Sequence, residues 1–362
     1  MANRGGRRDV LQTLDDRELL RRYRLDRAGI MFVVDLLRDA ITSPTRQQCS
    51  SDDLGLSQSS VSRVITQTLT ALSQPNIVTQ FVSFPLDART LHTHKRAFMD
   101  IAGFPGVVGV IDGTHVRIIA PSEDEAVFVN RKNFHSINVQ IVFNAACKIL
   151  DIVAKWPGST HDARMLSESG IRQLFERRYV PANCHLLGDS GYPCKPWLLT
   201  PYLQPRQGPQ LNYNRAHKTT RAVVERGIGQ LKRRFHVLHG EVLLRPEKVS
   251  KVIIACAILH NICKVRQIAE PLEDGDEDED EDNDEDGGEE DIHIPQGNLA
   301  QSGLPYRANF TNLHFRQVVA PCHLRTCDGM LTEQVLQMVQ AAILSANLMG
   351  PVLVMAPCYR NT

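Results

Sequence analysis

The sequence has no C-x-x-C pair among its nine cysteines and no apolar core behind its "MANRGGRRDV" start. No stretch approaches the roughly 18 or more uninterrupted apolar residues of a membrane span. Without C-x-x-C spacing there is no zinc knuckle, and an odd cysteine count fits a reducing compartment better than a disulfide framework. The thiols are therefore expected to be buried and free. Without a membrane span or secretory signal, the expected location is the nucleus or the cytoplasm. Internal repeats are also absent, and so is net charge, because 41 Lys and Arg balance 41 Asp and Glu.

What is present is a chain of 362 residues with 42% apolar content, enough for one large domain and a smaller one. Its zero charge conceals a division. Glu273 to Asp291 holds 15 acidic residues and no Lys or Arg, so the rest of the chain sets 41 basic residues against 26 acidic ones, a net charge of +15. A body with that excess suits a polyanion such as DNA. The basic residues cluster, with eleven Lys or Arg and three Glu between Arg206 and Lys251. A solvated helix face would explain such a cluster equally well.

Hydrophobic spacing predicts helix over Asp16 to Ile41. The stretch "SSDDLGLSQSSVSRVITQTLTAL" then reads as a short helix at Ser51 to Leu54, a Gly55 turn and a Ser57-capped second helix carrying Val61, Val64, Ile65, Leu69 and Leu72. As a helix-turn-helix it would present Gln58, Ser59, Ser62 and Arg63 to the major groove; as a small helical bundle it would present nothing. Strand character follows. "VVGVIDGTHVRIIA" (107–120) reads as a hairpin or kinked strand around Asp112 and Gly113. "HSINVQIVFNAACKILDIVAKWPGS" supplies two strands with a reversal near Ala146 to Lys148. His161 to Phe175 reads as helix and "HLLGDS" as a buried strand. A long helix from about Thr219 and another over Val249 to Val265 close a mixed α/β domain with one central sheet. The acidic tract cannot bury apolar surface and is expected to be disordered, and Leu331 to Met349 is expected to be helical.

Four acids fall at expected strand ends, at a helix start or on the basic helix: Asp112, Asp162, Asp189 and Glu225. An Asp beside Gly188 and Gly191 serves equally well as a turn former. Hydrolysis of a phosphodiester needs a neutralised phosphate, an activated water and a stabilised leaving oxygen, and two divalent cations such as Mg²⁺ or Mn²⁺ supply all three from carboxylate ligands. Asp112 and Asp189 could stand side by side if their strands are neighbours, with Glu225 approaching from a helix packed over them. That helix also carries Arg226, Lys232, Arg233 and Arg234, positive charge suited to backbone phosphates.

The motifs "GVIDGTHVRI", "WPGSTHDARML", "LLGDSGYPCKPWLLTPY" and "NRAHKTTRAVVERGIGQLKRRF" resemble, in that order, those of the PIF/Harbinger transposases and the vertebrate nucleases derived from them. The resemblance runs from about Arg17 to Phe315. It implies an α/β, ribonuclease-H-like mixed-sheet core of the DDE type, behind an N-terminal helical region, in which acids hold divalent metal for cutting DNA. Position by position, it assigns Asp112, Asp189 and Glu225 as catalytic metal ligands and Asp162 as a further metal-associated carboxylate. Asp162 could alternatively cap a helix, and His115 and His161 could bind phosphate or simply hydrogen-bond. The resemblance also implies a Myb/SANT-like DNA-binding partner protein. The domains expected are a helical region (1–100), the nuclease domain (107–265), an acidic insert (270–295) and a C-terminal segment (296–362). Two departures stand out: the chain ahead of "LGLSQSSVSR" lacks a helix that relatives carry, and residues 316–362 match nothing in the family pattern. The function expected is metal-dependent DNA hydrolysis without transposition. A silent DNA- or protein-binding adaptor and an active transposase are the alternatives.

Overall fold

A computed structural model describes residues 10–41, 58–270 and 302–316. The expectations for Ser51 to Ser57, for the acidic tract and for Leu331 to Met349 lie outside the described residues. The N-terminal helices are α1 (Val10–Thr13), α2 (Asp16–Tyr23), α3 (Arg27–Ile41), α4 (Gln58–Leu72), α5 (Pro75–Phe81) and α6 (Ala88–Ala102). The single helix expected over Asp16 to Ile41 is two, because Arg24 takes a left-handed conformation and ends α2. Asp15 starts that helix by accepting from Glu18 N at 2.7 Å. In α4 the apolar Val61, Val64 and Ile65 are exposed, while Leu72 and Ala71 are buried against the body. The helix as a whole lies against α3, α5 and α11 (Pro246–Val265).

The sheet has five strands: β1 (Val107–Arg117), β2 (Ser136–Phe143), β3 (Ile149–Pro157), β4 (His185–Leu187) and β5 (Leu198–Leu199). Their order is β3-β2-β1-β4-β5. The first three are antiparallel, whereas β4 runs parallel to β1 and β5 parallel to β4. Such a mixed sheet is consistent with the core implied by the resemblance. The hairpin reading of residues 107–120 is corrected: β1 is one continuous strand, and Asp112 and Gly113 pair with Ile141 and Gln140 in its middle. A two-residue type I′ turn would need positive φ at both residues, and neither has it. Strands β2 and β3 and the reversal between them fall where the sequence puts them.

Beyond β1 come α7 (Glu125–Phe128), α8 (Asp162–Ser167), α9 (Gly170–Glu176), α10 (Pro209–Arg234), a 3-10 turn (His236–Leu238), α11 and α12 (Gly303–His314). Residues 161–175 form two helices because Ser169 caps a new one, its side chain accepting from Arg172 N. The long basic helix starts ten residues earlier than Thr219, at Pro209, whose fixed φ suits the first helical position. One core lies between the sheet and α10 and α11, around Val110, Ile141, Val224 and Ile258, and a second lies against α8 and α9, around Ile111, Val142, Leu166 and Phe175. Full burial of each such side chain stabilises the fold by roughly 1.5–3 kcal/mol. The buried Asn261 amide ties α11 to the sheet, accepting from Ile149 N at 2.8 Å and donating to Ile149 O at 2.7 Å and Phe81 O at 2.9 Å. Cys147, Cys184, Cys194, Cys256 and Cys263 are buried free thiols. Among the described residues no helix is long and apolar enough to cross a membrane.

Candidate metal centre

The parallel strand β4 pairs with β1 only as far as Val110, opposite Leu187. Beyond that point no strand among the described residues pairs with β1 on this side until Val242 N donates to Arg117 O at 3.0 Å, and the chain leaving β4 turns through Gly188 and Asp189. Space beyond the carboxyl ends of parallel strands is where open α/β sheets hold ligands. Asp112 and Asp189 both reach it, as expected of neighbouring strands. Asp189 Oδ1 accepts from Gly191 N at 3.1 Å, so the turn-forming role and the carboxylate role coexist.

Asp162 enters from the other side as the first residue of α8. Its carboxylate is not spent on a helix cap: the cap position is the exposed His161, which makes no side-chain cap bond. Glycines leave room for it. A Cβ on Gly113 would lie 2.6 Å from Asp162 Oδ1, and one on Gly191 would lie 3.2 Å from Asp162 Oδ2 and 3.3 Å from Asp189 Oδ1. Three aspartates from three elements thus converge. Burial, more than any other cause, pushes the Asp112 carboxyl up to about 7, with the charges of Asp189 and Asp162 adding to the rise and the Arg221 guanidinium opposing it. Burial and then Asp189 push Asp162 up to about 6.

Glu225 comes from α10, which passes close over the sheet. Gly227 makes that approach possible, since a Cβ there would lie 2.9 Å from the Phe143 ring. Between Glu225 and the sheet stands a residue that the sequence reading missed. Arg221 Nη1 donates to Asp112 Oδ2 at 2.8 Å, and its Nη2 donates to Glu225 Oε1 at 2.7 Å. Its signal was available, because a residue four before Glu225 shares its helix face. Two other neighbours went unread. Among the described residues the buried Tyr192 hydroxyl has no hydrogen-bond partner, and burial with the three aspartates beside it holds its phenol well above the ordinary range. Asn138 donates to Thr160 O at 2.9 Å, fixing the turn before Asp162, while its Oδ1 is left unpaired.

The residues present fit a hard divalent cation in their chemistry. They offer carboxylate oxygens, repelling one another in a desolvated space, beside buried polar atoms that a hydrated ion would satisfy. In this arrangement they are not gathered into a ready cage: among the described residues no group of three or more His, Cys, Asp or Glu is close enough to hold a metal.

The other expected residues divide by exposure. His115 Nδ1 pairs with Ser136 Oγ at 3.0 Å, a plain hydrogen bond. Ser59, Ser62, Arg63 and Arg226 are exposed, Lys232 is half-buried, and Arg233 pairs with Glu270 at 3.9 Å. Arg234 is a correction. It is 2% exposed and donates to Arg24 O, Ala269 O and Ile268 O at 3.5, 3.2 and 3.3 Å. Its charge is committed to the interior and cannot meet a phosphate.

Residues 111–261, which hold all four acids, match the family described as "DDE superfamily endonuclease", and this defines the class. Endonucleases of this superfamily generally use divalent metals. The chain is 34% identical over 278 residues to "Putative nuclease HARBI1" of Mus musculus, covering 70% of this chain and 79% of that protein. It is 33% identical to the Homo sapiens protein of the same name over the same shares. "Protein ALP1-like" of Arabidopsis thaliana is 30% identical over 251 residues, 62% of this chain and 60% of that protein. The chain belongs to the Harbinger transposase-derived nuclease family. No solved structure matches it significantly.

Proposed function

We propose that this protein hydrolyses phosphodiester bonds in DNA as a divalent-metal-dependent nuclease without transposition. The observation that carries the reading is the convergence of Asp112, in the middle of β1, with Asp189, just past the carboxyl end of β4, and Asp162 at the start of α8, with Glu225 brought over them by α10. Asp112, Asp189 and Glu225 would hold Mg²⁺ or Mn²⁺, with Asp162 assisting. A bound divalent ion neutralises the scissile phosphate and supplies a nucleophile at neutral pH. The chain's own residues do the rest. Gly191 N and Gly113 N each donate to a carboxylate and fix its direction, at 3.1 Å to Asp189 and 2.9 Å to Asp112. Asn138 fixes the entry to α8, and the buried Tyr192 keeps a polar atom beside the acids in a place otherwise closed by apolar side chains. Arg226, Lys232 and Arg233 would hold backbone phosphates in a salt-sensitive, sequence-independent way. Ser59, Ser62 and Arg63 on α4 would extend that contact.

The reading includes a ribonuclease-H-like core over residues 107–265, supported by the strand order and directions, with residues 1–100 as a helical accessory, 270–295 as an acidic insert and 296–362 as a C-terminal segment. It places the protein in the nucleus, with a cytoplasmic pool, beside a Myb/SANT-like DNA-binding partner. The test is cleavage of supercoiled plasmid in Mg²⁺ or Mn²⁺ by the wild type and by Asp189→Asn. Cleavage should be lost in the variant, and unchanged cleavage would remove Asp189 from the mechanism. A second reading, a silent adaptor, is favoured by one observation, the neutralisation of two of the acids by Arg221. It predicts DNA or partner binding with no Mn²⁺ uptake.

A further inference from the structure

Arg221 stands where a cation of a metal centre would be expected to draw acids from different elements together. Its guanidinium reaches two carboxylates that are far apart in sequence, Asp112 on β1 and Glu225 on α10, at 2.8 and 2.7 Å. The other oxygen of Asp112 is also engaged, accepting from Gly113 N at 2.9 Å. The pair is sheltered at the β1 end, where the side chains of Arg221 and Asp112 are 23% and 17% exposed, and open at the Glu225 end, where the side chain is 59% exposed. A planar fork is the group suited to bridging two carboxylates at once; a lysine ammonium would act as a point charge on one or the other. The open end matters as much as the sheltered one, because a solvent-exposed ion pair exchanges its partner at little cost.

We propose that Arg221 is an exchangeable internal counter-ion that holds Asp112 and Glu225 together in the absence of metal and yields its place when a divalent cation binds. The inference rests on the nuclease reading and deepens it, because it makes loading of the site an exchange rather than a simple addition. It accounts for two findings together: the acids converge on a common space, yet they do not form a ready cage. A guanidinium and a divalent ion compete for Asp112 Oδ2 and Glu225 Oε1 and their positive charges repel, so the bridged arrangement lowers the apparent metal affinity according to the fraction of molecules that occupy it. Arg221 is in this sense a positioning residue. It keeps the two carboxylates facing each other across the α10–β1 gap while the site is empty.

The test is calorimetric titration of the full chain with Mn²⁺, comparing the wild type, Arg221→Gln and Arg221→Lys, with Asp189→Asn as the ligand-loss control. Arg221→Gln should bind Mn²⁺ about tenfold more tightly, as expected if the bridged form is roughly nine-tenths populated. Arg221→Lys should fall between Gln and wild type. The metal-free Gln variant should melt below the wild type, and Mn²⁺ should raise its melting temperature by more. A structural role for Arg221 would predict the opposite sign, weaker metal binding in both variants. Affinity equal to or weaker than that of a metal-binding wild type overturns the exchange and leaves the nuclease reading standing. Should Arg221→Gln fail to fold by circular dichroism, Arg221→Lys decides alone, and affinity no tighter than wild type overturns the proposal. Binding by Arg221→Gln where the wild type takes up none supports it, and no uptake by any folded variant overturns the exchange and the nuclease reading together.

Discussion

Replacing Asp112 by Asn should make the metal-free protein more stable at neutral and alkaline pH, although it disables the proposed site. The Asp112 carboxyl ionises at about 7 in the folded chain against an ordinary value of 3.8. Between those two values the folded state binds a proton that the unfolded state has released, so stability falls as pH rises from about 4 to about 7. At about 1.4 kcal/mol per pKa unit, the ionised carboxylate costs the fold on the order of 4 kcal/mol above pH 7, with the help of Arg221 already included. No large discount for solvent applies, because the side chain is 17% exposed. An Asn is close in shape to the protonated acid and carries no charge, and its one acceptor oxygen serves either Gly113 N or Arg221 Nη1, which trims the gain by about 1 kcal/mol. The variant should therefore match the wild type near pH 4 and exceed it at pH 8, by roughly 10 °C in melting temperature for a chain of this size. The assay is thermal unfolding followed by circular dichroism from pH 4 to pH 8 in a chelator. An Asn variant less stable than wild type at pH 8 would refute the reasoning, since the carboxylate would then be held by favourable contacts rather than strained by burial and repulsion.

Gly113→Ala should push the Asp162 carboxylate out of its place, costing about 1–3 kcal/mol of stability and about 10- to 100-fold in Mn²⁺ affinity; denaturant unfolding and calorimetry read the two effects separately. Arg234→Ala should destabilise by about 2–4 kcal/mol, because a buried side chain is lost and three backbone carbonyls lose their donor, while the DNA affinity of the folded fraction in a gel-shift assay stays unchanged. Arg226→Ala should do the reverse, changing stability by less than about 0.5 kcal/mol and weakening DNA binding with a shallower salt dependence.

The four acids were legible in the sequence because each sits in a motif that a local rule explains: a strand running into an acid, an Asp between glycines, an acid opening a helix, and a Glu on a basic amphipathic face. Their convergence was legible only through the family resemblance, since it depends on β4 lying parallel beside β1, a long-range pairing that no local pattern states. Asp112-Gly113 misled for the same reason. The dipeptide looks like a hairpin turn, but pairing with Ile141 and Gln140 keeps it extended, and the glycine is there to admit Asp162. The Arg234 reading failed because helical spacing assigns a face, whereas burial depends on what packs there, in this case the chain at Ile268 and Ala269. Of the apolar residues spaced along α4, Leu72 is buried while Val61, Val64 and Ile65 are exposed, a division that spacing alone does not state.

Gly227 has no chemistry to offer, yet it sets the height at which α10 rides over Phe143 and hence how far Arg221 and Glu225 reach toward the sheet. The geometry of the proposed site is therefore exposed to loss at a position that a survey of acidic residues would pass over. One added methyl group under the helix would leave every acid in the sequence and lift two of the site's charged groups away from the others.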